Sequence, residues 1–265
     1  MKRDWWKTFF DVHAAEVMFD LHARPTKKEV AQVLRRSRLK RESEVLDLAC
    51  GLGRHSIEFA RQGMRVTGLD YSPVYVKEAR KRVKAAKLQD RIEIIRGDMK
   101  NLSPHFEPER FDAVVSLFNS FGYFDRRKDD LKVLKEMARI LKPGGLLVLN
   151  TLNLQGVIRR LLGHGQTEGL FMWHEKKPRY FVLDKAFYDK KTRRTQCQWT
   201  LIDVRRRNPK VLRLEFGQNV YSHEDFKRAL RPLGLKVIQV WGRLQGEPFD
   251  KNTSWHQSFV AKKIT

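Results

Sequence analysis

Cysteine is nearly absent: two thiols, Cys50 and Cys197, in 265 residues. Two cannot build a disulfide framework, and no Cys/His cluster has zinc spacing, so no metal site is expected and a reducing, cytoplasmic setting is. No stretch of roughly 18 uncharged apolar residues occurs, the length a membrane-spanning helix needs. The start, Met1-Lys2-Arg3-Asp4-Trp5-Trp6, runs into charges rather than an apolar leader. Neither a membrane span nor a secretory signal is therefore expected. Repeats and low-complexity tracts are missing too, which leaves a succession of ordinary elements, long enough for one elaborated domain.

Acidic residues are also scarce, with 31 Asp+Glu against 54 Lys+Arg, a net charge of +23. Such a surplus suggests a polyanionic partner or an anionic substrate. It is densest over residues 154–220, where 15 basic side chains face 6 acidic ones. No block resembles a basic nucleic-acid tail. A generally basic, solvated surface is the plainer reading, and an RNA-binding face the sharper one.

What is present is alternation. Pro25-Thr26-Lys27-Lys28-Glu29 reads as a helix start, with Thr26 as N-cap and Glu29 completing a capping box; Val30, Val33 and Leu34 then share one face. Val45-Leu46-Asp47-Leu48-Ala49 is a short apolar run entering the glycine turn Cys50-Gly51-Leu52-Gly53, a buried strand followed by a helix. Strands are expected again at 66–70, 92–95, 111–117 and 146–150. Ser72-Pro73 starts one helix, and a second, over about 125–141, should turn Leu131, Leu134, Met137 and Leu141 inward. Such alternation predicts a parallel sheet covered on both faces. Beyond Asn153 it lapses into three strand-like runs at 180–189, 194–203 and 211–221, an inserted antiparallel meander. The α/β pattern then resumes, with Ser222 and Asp225 capping a helix and strands at 235–240 and 258–261. Four segments follow: an N-terminal helical and aromatic cap (1–42), a cofactor-binding core (43–153), an inserted antiparallel lid or dimerisation subdomain (154–220) and a completion of the core sheet (221–265).

Ligands of an open parallel sheet sit beyond the carboxyl ends of its strands, where this sequence gathers its unusual residues. Gly51 and Gly53 let backbone approach a ligand closely, and the next helix offers free N–H groups. Asp70 ends the second strand, about 20 residues after the turn, where a carboxylate can accept both hydroxyls of a ribose. Asp98 ends the third, within reach of a base's exocyclic amine. Each aspartate alone could equally cap a turn. A dinucleotide fingerprint would place Gly or Ala at position 56, where Ser56 stands, and no Walker lysine follows the turn.

Val45-Leu46-Asp47-Leu48-Ala49-Cys50-Gly51-Leu52-Gly53-Arg54 resembles the first motif of class I S-adenosylmethionine-dependent methyltransferases. Val66-Thr67-Gly68-Leu69-Asp70-Tyr71-Ser72 resembles their second-strand acidic motif, and Gly97-Asp98-Met99 their adenine-side motif. The resemblance covers residues 43–153 closely and the C-terminal helix and strand pair loosely; Ala49 replaces the family's first glycine. It implies a Rossmann-like α/β fold, with a seven-stranded, mostly parallel sheet whose last strand is antiparallel and helices on both faces. The three-stranded meander is inserted into it. It also implies roles. Gly51 and Gly53, with Ala49, would pass under the methionine part of S-adenosylmethionine (product S-adenosylhomocysteine), and Asp47 would order the loop. Asp70 would hold the ribose, Tyr71 pack on the adenine, and Asp98 with the Met99 backbone receive its amine. Leu117 or Phe118 would offer a carbonyl to the ammonium.

Methyl transfer from a sulfonium is an in-line displacement that needs alignment first and a base only if the acceptor is protonated. Phe118-Asn119-Ser120-Phe121-Gly122-Tyr123-Phe124 lacks the Asn/Asp-Pro-Pro-aromatic signature of base-amine methylation, and neither cysteine is placed for cytosine chemistry. The sequence is most similar to the small-molecule branch, in which a three-stranded insertion lids the pocket. Tyr123 is the acceptor-side candidate, as positioner or weak base, or else a ring packed beneath the lid. Trp5, Trp6, Phe9 and Phe10 close over the cofactor or pack a helix on the core. Arg24 is a candidate for the cofactor carboxylate, and His256, beside Trp255, for a base at the rim. Three functions are weighed. One is methylation of an oxygen or nitrogen of a small, possibly anionic molecule. Another is methylation of tRNA or rRNA, with Arg205-Arg206-Arg207 and Lys190-Lys191-Arg193-Arg194 on phosphates. The third is a non-catalytic cofactor-binding module. The chain would act as a monomer or homodimer.

Overall fold

The core sheet is built from strands that sit between two apolar layers. A computed structural model describes residues 4–10, 14, 25–162, 170–176, 180–204 and 208–264. The core strands are β1 (Glu44–Leu48), β2 (Arg65–Asp70), β3 (Ile92–Arg96), β4 (Phe111–Ser116) and β5 (Leu141–Leu152), completed by β10 (Leu235–Trp241) and β11 (His256–Lys263). Their order is β10-β11-β5-β4-β1-β2-β3. β11 runs antiparallel to β5 and β10, and the other pairings are parallel. This is the expected seven-stranded sheet. Chain order reverses at β1, which has β2 on one side and β4 on the other, so a crevice opens at its carboxyl end.

Helices α2 (Thr26–Ser37), α3 (Arg54–Arg61) and α4 (Pro73–Ala85) cover one face through Val30, Val33, Phe59, Val76 and Ala79. Helices α5 (Arg127–Ile140) and α7 (His223–Leu230) cover the other through Val133, Leu134, Met137, Phe226 and Leu230. Among the described residues, no helix is long and apolar enough to cross a membrane. Two expected caps form: Ser72 Oγ accepts from Tyr75 N at 3.2 Å, and Ser222 with Asp225 makes a reciprocal capping box.

Two expectations fail for one physical reason, the pull of a buried carboxylate on polar partners. Thr26 is the first helical residue of α2, not its N-cap, and no side chain caps the helix. Glu29 turns inward, fully buried, to pair with Arg54 and His55. In α5, Leu131 is 43% exposed while Asp130 is buried. Asp130 Oδ2 accepts from Tyr221 Oη and Asn219 Nδ2, both at 2.6 Å, which fixes the rotation of the helix.

The insertion holds four strands where three were expected: β6 (Leu170–Lys176), β7 (Tyr180–Asp189), β8 (Arg194–Asp203) and β9 (Lys210–Asn219), in that spatial order. The sequence over β6, an apolar run turning charged, lacks the period of two that marks a half-buried strand. Helix α6 (Leu154–Leu162) leads into the insertion. Buried Arg194 fastens this sheet to the core, donating to the Phe124 carbonyl and to Asn219 Oδ1. Arg193 pairs with Asp225 at 2.6 Å. Arg193 and Arg194, two of the arginines that the RNA reading assigns to phosphates, therefore serve internal contacts. Arg205, Arg206 and Arg207 lie outside the described residues.

Candidate active site

The turn after β1 is wound by left-handed residues. Ala49, Gly51 and Gly53 have φ of 61°, 56° and 76°. Glycine accepts this conformation freely, whereas alanine at position 49 carries strain. At Gly53 a side chain would also crowd α4, since its Cβ would lie 3.3 Å from that of Ala79. Asp47 acts from behind the loop: it is buried, does not reach the cavity wall, and its Oδ2 accepts from Ser56 Oγ at 2.6 Å. Ser56, which breaks the dinucleotide fingerprint, thus ties the start of α3 to β1.

Across the crevice, Asp70 Oδ2 accepts from Gly51 N at 2.8 Å and Oδ1 from Ser72 N at 2.9 Å. Burial pushes its pKa up to about 6, against the opposing pull of these backbone donors. An ionised carboxylate has about four acceptor sites, so capacity remains for a ligand's hydroxyls. Tyr71 stands edge-on to Trp6, with ring centroids 4.7 Å apart. Asp98 Oδ1 accepts from Lys100 N at 2.9 Å. The Lys100 ammonium lies over the rings of Phe124 (4.6 Å) and Trp6 (5.4 Å).

The loop after β4 forms the third wall. Phe118 and Asn119, neither a glycine, both adopt left-handed backbone, with φ of 59° and 61°. Ser120 Oγ donates to the Leu117 carbonyl at 2.8 Å. Tyr123 faces the cavity under an aromatic roof in which Trp5 lies 5.2 Å and Phe10 5.6 Å from its ring. Burial raises the phenol well above its ordinary range. Helix α1 (Trp6–Phe9) joins this roof to the inserted sheet, Phe9 lying 4.9 Å from Phe216 and 5.7 Å from Trp199.

Together these walls border a cavity of about 730 Å³ lined by Trp6, Ala49, Gly51, Asp70, Tyr71, Asp98, Met99, Leu117, Phe118 and Tyr123. The volume falls within the usual range for a small-molecule site. Gly53 sits behind the wall as the N-cap of α3. His256 is not on the wall: its Nε2 accepts from Asn119 Nδ2 at 3.2 Å behind the β4 loop. Burial, with Arg243 and Arg160 nearby, lowers its pKa to about 4, so it stands neutral. Arg24 lies outside the described residues. The wall also contains Phe10, one of the aromatics expected to close over the cofactor, Ser120 and Phe124 from the acceptor-side segment, and Arg54 and His55, to which sequence reasoning gave no role. Arg54 directly follows Gly53, a position from which a side chain can reach the crevice, and that adjacency was the available signal.

Residues 45–145 match the family model described as a methyltransferase domain. Over these residues the chain is similar to methyltransferase domains. Over 114 residues the chain is 34% identical to the dTDP-3-amino-3,4,6-trideoxy-alpha-D-glucopyranose N,N-dimethyltransferase of Streptomyces venezuelae, covering 43% of this chain and 44% of that one. The chain's matches span about half the length of its curated relatives. Among solved structures, the CcbJ methyltransferase of Streptomyces caelestis superposes with a TM-score of 0.80 at 16% identity, covering 98% and 99% of the two chains. CalS10, an amino pentose methyltransferase from Micromonospora echinaspora solved with S-adenosylmethionine bound, superposes at 0.70 and 21%, covering 96% and 98%. At those identities the likeness is one of fold, and it extends over the inserted sheet.

The residues present fit the cofactor of the methyltransferase domain. A buried carboxylate with spare acceptor capacity suits a ribose diol, and aromatic rings beside it suit an adenine. The glycine turn suits close approach of an extended amino-acid tail.

Proposed function

We propose that this chain is an S-adenosylmethionine-dependent methyltransferase acting on a nitrogen or oxygen of a polar small molecule. The observation that carries the reading is Asp70, a carboxylate at the switch point, oriented by two backbone donors and lining the cavity. In this reading Asp70 holds the ribose hydroxyls, Tyr71 and Trp6 flank the adenine, and Asp98 with the Met99 backbone receives the adenine amine. Gly51 and Gly53 carry the loop beneath the amino-acid end, and the Leu117 or Phe118 carbonyl accepts from its ammonium. The cofactor, when bound, supplies an electrophilic methyl group. The chain's own task is then alignment and exclusion of water.

Tyr123 serves as a neutral hydrogen-bonding and packing group on the acceptor side, because its burial disfavours the phenolate. His256 acts indirectly, holding Asn119 and so the strained wall of the site. Trp6 and Phe10 on the cavity wall, with Trp5 packed against Phe10 and Tyr123 behind them, favour a small acceptor over a nucleotide within an RNA. The amino-sugar methyltransferase among the relatives supports an amine as the accepting group. Methyl-labelled cofactor incubated with the protein and a cell extract, then split into RNA and low-mass fractions, tests the reading. Label in the low-mass fraction is expected. Label confined to RNA would replace the acceptor assignment, and no transfer to any fraction would leave only a binding module.

A further inference from the structure

Asn219, the last residue of β9, is buried, and both polar groups of its side chain have partners. Nδ2 donates to the Phe124 carbonyl at 2.9 Å and to Asp130 Oδ2 at 2.6 Å, while Oδ1 accepts from Arg194 Nη1 at 2.9 Å. A carbonyl only accepts and a guanidinium only donates, so these partners leave the amide a single orientation. An aspartate of the same size would lose both donors and set a second carboxylate against Asp130. Two further bonds tie the inserted sheet to the same short stretch. The Asn219 N–H donates to the Gly122 carbonyl at 2.6 Å, and Arg194 Nη1 also donates to the Phe124 carbonyl. Gly122 and Phe124 are the residues immediately before and after Tyr123. The backbone that carries the acceptor-side phenol is therefore gripped on both flanks by β8 and β9, and the far side of the grip is fixed by Tyr221 Oη on Asp130 Oδ2 at 2.6 Å.

We propose that Asn219 and Arg194 are positioning residues that set Tyr123 against the methyl acceptor, so that the inserted sheet governs transfer without holding the cofactor. This rests on the methyltransferase reading and names the residues through which the insertion serves it. The cofactor side is held separately: Asp70 takes its donors from Gly51 and Ser72, and Asp98 from Lys100, all within the core. Contact between the two sides runs through the Phe124 ring, which stands edge-on to Trp6 at 5.3 Å. Such an apolar contact tolerates a small shift better than the alignment of nucleophile, methyl and sulfur does, where about 1 Å of misplacement costs on the order of a hundredfold in rate. Loosening the grip should therefore slow transfer and spare cofactor binding.

The test pairs two measurements. Calorimetry with S-adenosylhomocysteine gives cofactor affinity. Transfer from methyl-labelled S-adenosylmethionine into the cell-extract fraction that the unsubstituted protein labels gives the rate, with enzyme in excess so that slow variants stay measurable. Asn219→Ala should lower the rate about tenfold to a hundredfold and leave affinity within about threefold. A double-mutant cycle then distinguishes positioning from general support of the fold. Tyr123→Ala removes the group being positioned, so Asn219→Ala/Tyr123→Ala should be no more than about threefold slower than Tyr123→Ala alone. Should Asn219→Ala fail to fold, Arg194→Met releases the Phe124 carbonyl while keeping the bond from Asn219 to Asp130, and carries the same expectations. An unchanged rate, a parallel loss of rate and affinity, or losses that multiply in the double variant would overturn the assignment. Failure of the unsubstituted protein to label any fraction would instead sink the methyltransferase reading itself.

Discussion

Asp70 makes cofactor affinity a function of pH. In the free protein its carboxyl keeps a proton up to about pH 6, because burial opposes the charge. Ribose hydroxyls donate, so they favour the ionised form, and binding must expel the proton wherever it is still held. The apparent Kd is then multiplied by 1 + 10^(6 − pH), a factor of about 11 at pH 5 and close to 1 at pH 7.5. Titration with S-adenosylhomocysteine should show roughly a tenfold loss of affinity across that interval, accompanied by proton release measurable in buffers of different ionisation enthalpy. Asp70→Asn should bind more weakly at pH 7.5 and lose the slope. Stability runs in the opposite sense. The native state holds this proton where the unfolded chain, with an ordinary aspartate near 3.8, has lost it. Stability therefore falls as pH rises from about 4 to 6, by about 3 kcal/mol for a shift of this size. A flat affinity profile in the unsubstituted protein, or the same slope in Asp70→Asn, would refute the reasoning.

Ala49→Gly should relieve a left-handed alanine at the cost of a more flexible unfolded chain, a net gain of about 0.5 kcal/mol in urea unfolding with cofactor affinity unchanged; a lower midpoint would mean that the methyl packs usefully. Tyr221→Phe should cost about 1–3 kcal/mol, because it takes one of two side-chain donors from buried Asp130. That cost should be larger at pH 7 than at pH 5, since Asp130 titrates at about 6 and only its ionised form needs both donors; equal costs at the two pH values would refute the assignment. For Tyr123→Phe the shape of the rate–pH profile should survive and any loss should fall mainly on KM. Disappearance of an alkaline limb in the variant would restore the phenol as a base.

The parts of the fold that the sequence displays are those whose causes are local. The run Val45–Leu48, the glycine turn, Ser72-Pro73 and the Ser222–Asp225 box each carry their own instruction, and each forms as expected. What was misread depends on partners far along the chain. Glu29 looks like a capping residue until Arg54 and Gln245, 25 and 216 positions away, bring it inside. Leu131 fits the apolar face of α5 by spacing, but Asp130 is drawn in by Asn219 and Tyr221, about 90 residues away. Arg194 reads as a surface cation in a basic stretch until it finds the Phe124 carbonyl.

The same division explains why the cofactor side of the crevice was easier to read than the acceptor side. The loop after β4 holds two adjacent non-glycine residues in left-handed backbone, a strain of about 1–2 kcal/mol at Phe118 and less at Asn119, since asparagine tolerates this region. Within the loop the Ser120 Oγ–Leu117 carbonyl bond braces the pair, and the surrounding structure supplies the rest. Asn119 N donates to the Asn150 carbonyl at 3.2 Å, its side chain reaches His256 on β11, and Phe118 is covered by Arg54 from α3. Gly122, with a φ of 101°, accepts from Asn219 N at 2.6 Å so closely that any side chain would strike that residue's carbonyl oxygen. Four separate elements thus hold the acceptor wall in a conformation its own sequence disfavours. The inserted sheet, through Asn219, is one of them, so its attachment to the core bears directly on the geometry of the site.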